Sequence, residues 1–410
     1  MLSEQRALLT EDSNYSQPWL FYFTGIPFGV CFGVIGSALP YLLTQSTSLP
    51  AHTVALIPSL ATLPAALYFL WAPLVDIFPY RRRWFVGASV VSAAMVCLSL
   101  ALSLGVQHAN FAIIFLCCFA TAAATTFTSV ASAGLAATTS DPQMRSRVAG
   151  WKQAGTSTGL AIGGGLILYL EPAWLIWTVP GIVLLPCFAI FGIKESITVS
   201  PRNERALWFR NFFQTFISSR RFRFFLLVLV LPIGTAAASS LFSTIAKDYN
   251  APTSVVVWVA GIGAVVFTSL GAVFAGYAFT RVTPLNAYIF SGILVGVVSL
   301  CLWIAPVTPS SYVIGNSIYL LLMGCCNAAF TNVALSVASE FQQVAGTSFS
   351  LLAAINNLSA ILAITVEGQS LRFGPRGVYG TDAILITIGL IVFLLLRKIY
   401  HSEFIAKPGK

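Results

Sequence analysis

Twelve separate stretches of this chain each stay apolar for about 20 residues, the length of helix that crosses a bilayer core, and few folds can accommodate that pattern. They lie at 18–43, 50–75, 84–105, 110–137, 147–170, 173–193, 223–247, 253–280, 284–305, 311–338, 344–369 and 377–398. In hydrocarbon every backbone N–H and C=O must find its partner inside the protein, so each stretch predicts a helix. Of the 410 residues 57% are hydrophobic and only 9% charged, against about 25% charged in a soluble domain. Too few charges remain to cover a water-exposed surface. A soluble enzyme, a disordered chain and a nucleic-acid-binding module are all excluded. The expected class is an all-α membrane protein whose first environment is the lipid bilayer.

The connections are short except one. Residues 194–222 carry Lys194, Glu195, Arg202, Glu204, Arg205, Arg210, Arg220 and Arg221. This polar segment divides six helices (1–193) from six more (223–410) and reads as a cytoplasmic linker, with an amphipathic stretch at 206–217 suited to a membrane surface. The net charge of +9 would suggest nucleic acid in a soluble protein. Here the positives follow the topology. With the N-terminus inside, 19 of the 22 Lys and Arg residues fall on the inner side, leaving Lys247, Arg372 and Arg376 outside. The positive-inside rule then sets both termini in the cytoplasm, in a cytoplasmic (inner) membrane. The polar N-terminus lacks the apolar core of a signal peptide.

No cofactor is expected. The sequence has no phosphate-binding G-x-x-x-x-G-K-[ST] loop. Its eight cysteines lie in apolar stretches without C-x-x-C spacing, and His52, His108 and His401 are too scattered for a metal site.

The two halves repeat one another. Phe127-Thr128-Ser129-Val130-Ala131 in helix 4 matches Phe330-Thr331-Asn332-Val333-Ala334 in helix 10. Val148-Ala149-Gly150 matches Val344-Ala345-Gly346, and Ile26-Pro27-Phe28-Gly29 matches Leu231-Pro232-Ile233-Gly234. Three matches in order, at corresponding helices, indicate a duplication. Two parallel six-helix repeats are a layout of secondary transporters.

Helix 2 ends in Leu70-Trp71-Ala72-Pro73-Leu74-Val75-Asp76, followed by Arg81-Arg82-Arg83-Trp84. This resembles the loop 2/3 signature of the major facilitator superfamily, in the form found in the AmpG-type branch of muropeptide permeases, acetyl-CoA transporters and some siderophore importers. Arg145-Ser146-Arg147-Val148-Ala149-Gly150-Trp151 and Gly346-Thr347-Ser348-Phe349 through Asn356-Asn357 are similar as well. Helix 4 departs from the branch, since it lacks an acidic motif that the muropeptide and acetyl-CoA members carry. The resemblance implies the major facilitator fold, two pseudo-symmetric six-helix bundles, and a monomeric permease rather than an enzyme. It also implies import of a polar, anionic small molecule by alternating access, coupled to protons. The cargo candidates are a peptidoglycan fragment, a ferric siderophore and an acyl-CoA-like molecule. A non-transporting receptor on the same fold is the alternative.

Charges inside the membrane are the strongest pointers to function, because each is expensive unless paired or hydrated. Asp76 with Arg81, Arg82 and Arg83 forms a candidate gate, and Glu340 at the end of helix 10 is a candidate partner. Lys152, followed by Gln153, is a candidate substrate contact, the alternative being that it snorkels to the headgroups. Glu367 and Asp382 are candidate proton-coupling carboxylates, the alternative being an ion-pair cluster with Arg372 and Arg376. Polar residues on the cavity helices complete the candidate substrate site: Thr128 and Ser129; Asn327, Thr331 and Asn332; Asn356 and Asn357. Their alternative is hydrogen bonding between helices or back onto their own helix. Gly25, Gly29 and Gly33 in helix 1 and Gly155, Gly159 and Gly163 in helix 5 offer close-packing faces. That of helix 5 is expected to slide against helix 8. Pro27, Pro58, Pro64 and Pro232 are expected to kink their helices.

Overall fold

The computed structural model describes residues 15–46, 54, 57, 61, 63–78, 80–105, 111–195 and 219–404. The middle of the linker, the stretch 206–217, Arg6, His52, Pro58, His108, Lys407 and Lys410 lie outside the described residues. Helical segments occupy the described part of all twelve apolar stretches. α1 runs as Leu20–Gly33, a wider π turn at Val34–Ala38, and Leu39–Ser46. α2 comprises Leu63–Leu67, Tyr68–Leu70 and Ala72–Ile77. α3 is Arg81–Gly105, α4 Phe111–Thr139 and α5 Arg145–Gly164. α6 comprises Pro172–Leu184 and Pro186–Ile190. α7 begins at Arg220–Val230 and resumes as Ala237–Leu241, Phe242–Ile245 and Ala246–Tyr249. α8 comprises Thr253–Val256, a π turn at Val257–Gly263, and Ala264–Ala278. α9 is Pro284–Ile304, α10 Pro309–Glu340, α11 Ala345–Ser370 and α12 Gly374–Phe404.

Among the described residues, eight helical runs are long and apolar enough to cross a membrane, the last of which, Gln342–Tyr400, holds both α11 and α12. α5 is not among them, being studded with Lys152, Gln153, Thr156, Ser157 and Thr158. It tolerates that polarity because α1, α8 and α10 pack around it. α7 is not one continuous helix as expected over 223–247. Pro232 has no N–H to donate, the helix stops at Val230, and Ala236 takes a left-handed conformation (φ 47°) before the helix resumes. The outward faces are as apolar as the core: Trp174, Trp177, Phe188 and Phe191 of α6 and Ile399 of α12 are all more than half exposed. Only a bilayer is a good solvent for such a surface, and the chain is a multi-pass membrane protein.

The glycine faces pair with each other, which corrects one expectation. A methyl group added at Gly25, Gly29 or Gly33 would strike the α5 backbone between Lys152 and Gly164. One added at Gly155, Gly159 or Gly163 would strike the α1 backbone at Tyr22, Ile26 or Val30. The α5 glycine stripe is therefore locked against α1 and does not slide on α8. α8 meets a different face of α5. There a Cβ at Gly150 would lie 2.6 Å from the Ala272 carbonyl, and Ser269 Oγ donates to the Ala154 carbonyl at 3.4 Å.

The α5–α8 crossing is tight at the end where the arginines cluster. Arg147 stacks on the Tyr277 ring at 5.0 Å, and Trp151 Nε1 donates to Tyr277 Oη at 3.3 Å. Farther along, the helices part. Leu160, Gly164 and Leu168 face Val257, Gly261 and Val265 across a cleft of about 810 Å³ bordered by Ser37 and Tyr41. Both π turns border this cleft. The molecule is closed at the arginine-rich side and open between α5 and α8 at the other.

The α1–α5 contact makes a prediction. Gly155→Ala drives a methyl group into the Tyr22 carbonyl, and overpacking of this kind costs about 1–3 kcal/mol. Gly87, with nothing within 4 Å of an added Cβ, is the control. Thermal denaturation of the detergent-solubilised variants should show a lowered midpoint for Gly155→Ala and no loss for Gly87→Ala.

Candidate functional site

The residues of the helix 2 signature build one contact at the closed side. Trp71 Nε1 donates to Thr126 Oγ1 at 2.9 Å. Phe127 stacks against Trp84 (5.5 Å between ring centroids) and against Trp71 (6.4 Å). These rings seat the end of α2 and the start of α3 on α4. Asp76, with a side chain only 1% exposed, is then aimed across to α11. One carboxylate oxygen accepts from the Gly346 amide at 3.2 Å and from Arg81 at 3.1 Å. The other accepts from the Thr347 amide and the Thr347 hydroxyl, each at 2.7 Å.

The N-terminal amides of a helix have no partners within it and carry the positive end of the helix dipole, so a carboxylate there satisfies both needs. Arg81 completes the arrangement from the same half. Besides Asp76 it donates to the carbonyls of Gln342 (3.1 Å) and Gly134 (3.4 Å) and to Thr138 Oγ1 (3.2 Å). One ion pair from the first half therefore holds both the Gln342 turn and the first turn of α11.

Arg82 and Arg83 do not take part in that contact. Arg82 binds Glu195 and the Ile193 carbonyl at the end of α6, and Arg83 stacks on Tyr80 at 4.4 Å. Successive helical residues point about 100° apart, so only one of three consecutive arginines can face Asp76. Glu340 is not in that contact either: it lies within electrostatic reach of Arg145 at the start of α5.

Lys152 is buried, 7% exposed, and its ammonium sits 5.3 Å from the centre of the Phe349 ring on α11. Its ammonium is directed at the second half of the chain. No ion pair to Lys152 is formed among the described residues. Gln153 beside it is half-buried. Val130 and Ala131 of α4, Val333 and Ala334 of α10 and Phe349 of α11 belong to one apolar cluster.

That packing corrects part of the candidate substrate set. Thr128 is fully buried and donates to the Thr125 carbonyl (2.7 Å), and Thr331 is 4% exposed and donates to the Asn327 carbonyl (2.8 Å). Neither hydroxyl faces open space in this state. Ser129 and Asn332 are likewise buried, and Asn327 is half-buried. On α11, Asn356 Oδ1 accepts from Tyr288 Oη at 3.5 Å, an interhelical bond. Asn357 is exposed and donates across the two halves to the Ala65 carbonyl at 3.4 Å.

Glu367 and Asp382 do not form the expected cluster with Arg372 and Arg376. Arg372 stacks on Phe373 at 4.7 Å. The two carboxyls instead lie within hydrogen-bonding reach of each other, both buried. Sequence reasoning does not single out Thr347, Phe349, Ser299, Tyr319 or Tyr277 as functional. Thr347 carries a readable signal, as a hydroxyl residue in the first turn of a helix beside glycine. The others become visible only when the helices are packed.

Comparison with known proteins agrees with this geometry. The model of the Major Facilitator Superfamily matches residues 21–364. The chain is 24% identical over 392 residues to the Anhydromuropeptide permease of Escherichia coli (strain K12), covering 88% of this chain and 78% of that one. Among solved structures it is similar to a bacterial homologue of the iron transporter ferroportin in an outward-facing state (TM-score 0.69, 13% identity, 93% of this chain and 98% of that one). It is also similar to the transporter FucP in its outward conformation (TM-score 0.67, 13% identity, 93% and 97%).

The Asp76 contact is directly testable. Removing one partner of a buried ion pair costs about 3–5 kcal/mol. In Asp76→Ala the closed arrangement should lose population. Spin labels at the exposed positions Gln143 and Gln343, one on each half, should report longer distances than in the parent. Unchanged distances would show that Asp76 does not hold this side shut.

Proposed function

Because this chain belongs to the Major Facilitator Superfamily, and is a secondary transporter rather than an enzyme, we propose that it is a proton-coupled permease importing a polar, anionic metabolite by alternating access. With the arginine-rich side in the cytoplasm, the arrangement described above is the outward-facing state. The bundles 1–193 and 223–410 rock about the α5–α8 and α2–α11 contacts, and Asp76 with Arg81 is the cytoplasmic latch that must release for cargo to leave.

The observation that carries the reading of the cargo is Lys152. A buried cation without a carboxylate partner is costly, and a protein keeps one where a ligand supplies the missing charge. An anionic group of the cargo, reaching the floor between Lys152 and Phe349, would supply it. Asn356 and Asn357, on the less buried part of α11, would then contact the neutral polar groups of the same molecule. Similarity to the Anhydromuropeptide permease puts a peptidoglycan fragment first among the three cargo candidates. The absence of an acid in helix 4 keeps a ferric siderophore and an acyl-CoA-like molecule beside it.

Three outcomes are expected in proteoliposomes in a pH gradient. One of the three cargo classes should show counterflow. A chain that binds one of them without exchanging it would be a receptor, and the transport reading would fail. Lys152→Gln should weaken apparent affinity for the anionic cargo by roughly 10–100-fold, the worth of a charged hydrogen bond of about 1.5–3 kcal/mol. Glu367→Gln should abolish proton-driven uptake while leaving exchange intact. Unaltered uptake in that variant would remove Glu367 from coupling.

A further inference from the structure

The two acids of the last hairpin, Glu367 on α11 and Asp382 on α12, meet in one spot where α9, α10, α11 and α12 close together. Ser299 Oγ of α9 and Tyr319 Oη of α10 both donate to Asp382 Oδ2, at 2.5 and 3.0 Å. The Glu367 carboxyl lies against Asp382. Glu367 is 0% exposed and Asp382 1% exposed, and neither Glu367 oxygen receives a hydrogen bond.

The other titratable groups facing the pair are Tyr319 and Cys326 of α10 and Tyr379 of α12. The Tyr379 hydroxyl donates to Asn316 Oδ1 at 2.5 Å and not to either carboxyl. Phe242, on the resumed part of α7, packs on Tyr319 (5.4 Å) and Tyr379 (6.3 Å). No lysine or arginine pairs with either carboxyl among the described residues.

Two ionised carboxylates touching one another, in a dry site with no counter-ion, would be among the costliest arrangements a membrane protein could hold. The pair has an excess of acceptors: Asp382 has two donors and Glu367 none. One hydrogen on Glu367, donated to Asp382, removes one of the two charges and gives the unpartnered carboxyl its bond.

We propose that Glu367 and Asp382 form a single proton-binding site in which one proton bridges the two carboxyls, with Ser299 and Tyr319 fixing Asp382 as the acceptor. This deepens the coupling reading above and rests on it only for what the proton drives. The site lies within the second half, apart from Lys152. The coupling proton and the anionic cargo therefore occupy separate places. Phe242 ties the proton site to the part of α7 that follows the break at Pro232, so exchange of the proton with water requires that segment to move.

The test needs no cargo. Infrared spectra of the purified full-length chain at neutral pH should contain the C=O stretch of a protonated, buried carboxyl. Glu367→Gln should remove it, and Asp382→Asn, which takes away the acceptor but leaves Glu367 buried and uncharged, should shift it. Tyr319→Phe, which keeps both carboxyls and a similar shape, should shift the band without removing it. A parent spectrum lacking the band, a band persisting in Glu367→Gln, or a band left unshifted in Asp382→Asn overturns the proposal. So does a rise in the denaturation midpoint caused by sodium chloride but not choline chloride and lost in Glu367→Gln, which would make this a metal-cation site. If the band behaves as expected while Glu367→Gln takes up cargo normally, the proton site stands and only its coupling role is lost.

Discussion

A carboxylate at the end of the second helix meets the start of the eleventh, and the contact between the halves at the arginine-rich side is built around it. Asp76 accepts from two backbone amides and a hydroxyl of α11 while pairing with Arg81 of its own half. The amides at a helix N-terminus need an acceptor from elsewhere. A half-molecule that lost Asp76 would leave them bare at the junction. The contact is dry and charged, and three donors of α11, the Gly346 amide and the Thr347 amide and hydroxyl, meet one side chain. The aromatic clasp of Arg147 and Trp151 on Tyr277 closes the same side between α5 and α8. The two inter-half junctions thus use different chemistry, although the halves repeat one another in sequence.

That asymmetry extends to the charges in the interior. Lys152 belongs to the first half and faces Phe349 of the second, at the junction. Glu367 and Asp382 belong to the second half alone and are enclosed within it. On a chain whose halves repeat one another, single residues set a buried cation at the junction apart from a buried pair of carboxyls in the second half. The α1–α5 glycine contact gives the first bundle a rigid pair of helices with backbones touching. Between the halves, α5 approaches α8 closely where Gly150 meets Ala272 and Gly276.

Much of the latch is legible in the amino-acid sequence. Asp76 is marked by a charge at the end of an apolar helix and by the signature around it. Arg81 is not distinguishable there from Arg82 and Arg83, because the choice depends on which side of α3 faces α4. Lys152 is legible as a charge inside an apolar stretch, yet its ring partner lies in the other half of the chain. The glycine stripes announce close packing and give no hint of the partner, since a smooth face fits any other smooth face. Thr128 and Thr331 hold cavity positions in the repeats. Their hydroxyls nevertheless turn back to their own helices, where a carbonyl is always within reach.

Composition and periodicity alone dictate the solvent, the apolar stretches and the internal repeat, because hydrocarbon allows the backbone almost no conformation but the helix. Which charges meet is decided by packing. Whether Glu367 touches Arg372 or Asp382, and whether Arg81, Arg82 or Arg83 meets Asp76, turns on helix rotation and on register between neighbours. A single residue changes a helix's facing by about 100°, and only contact with the surrounding helices selects one orientation.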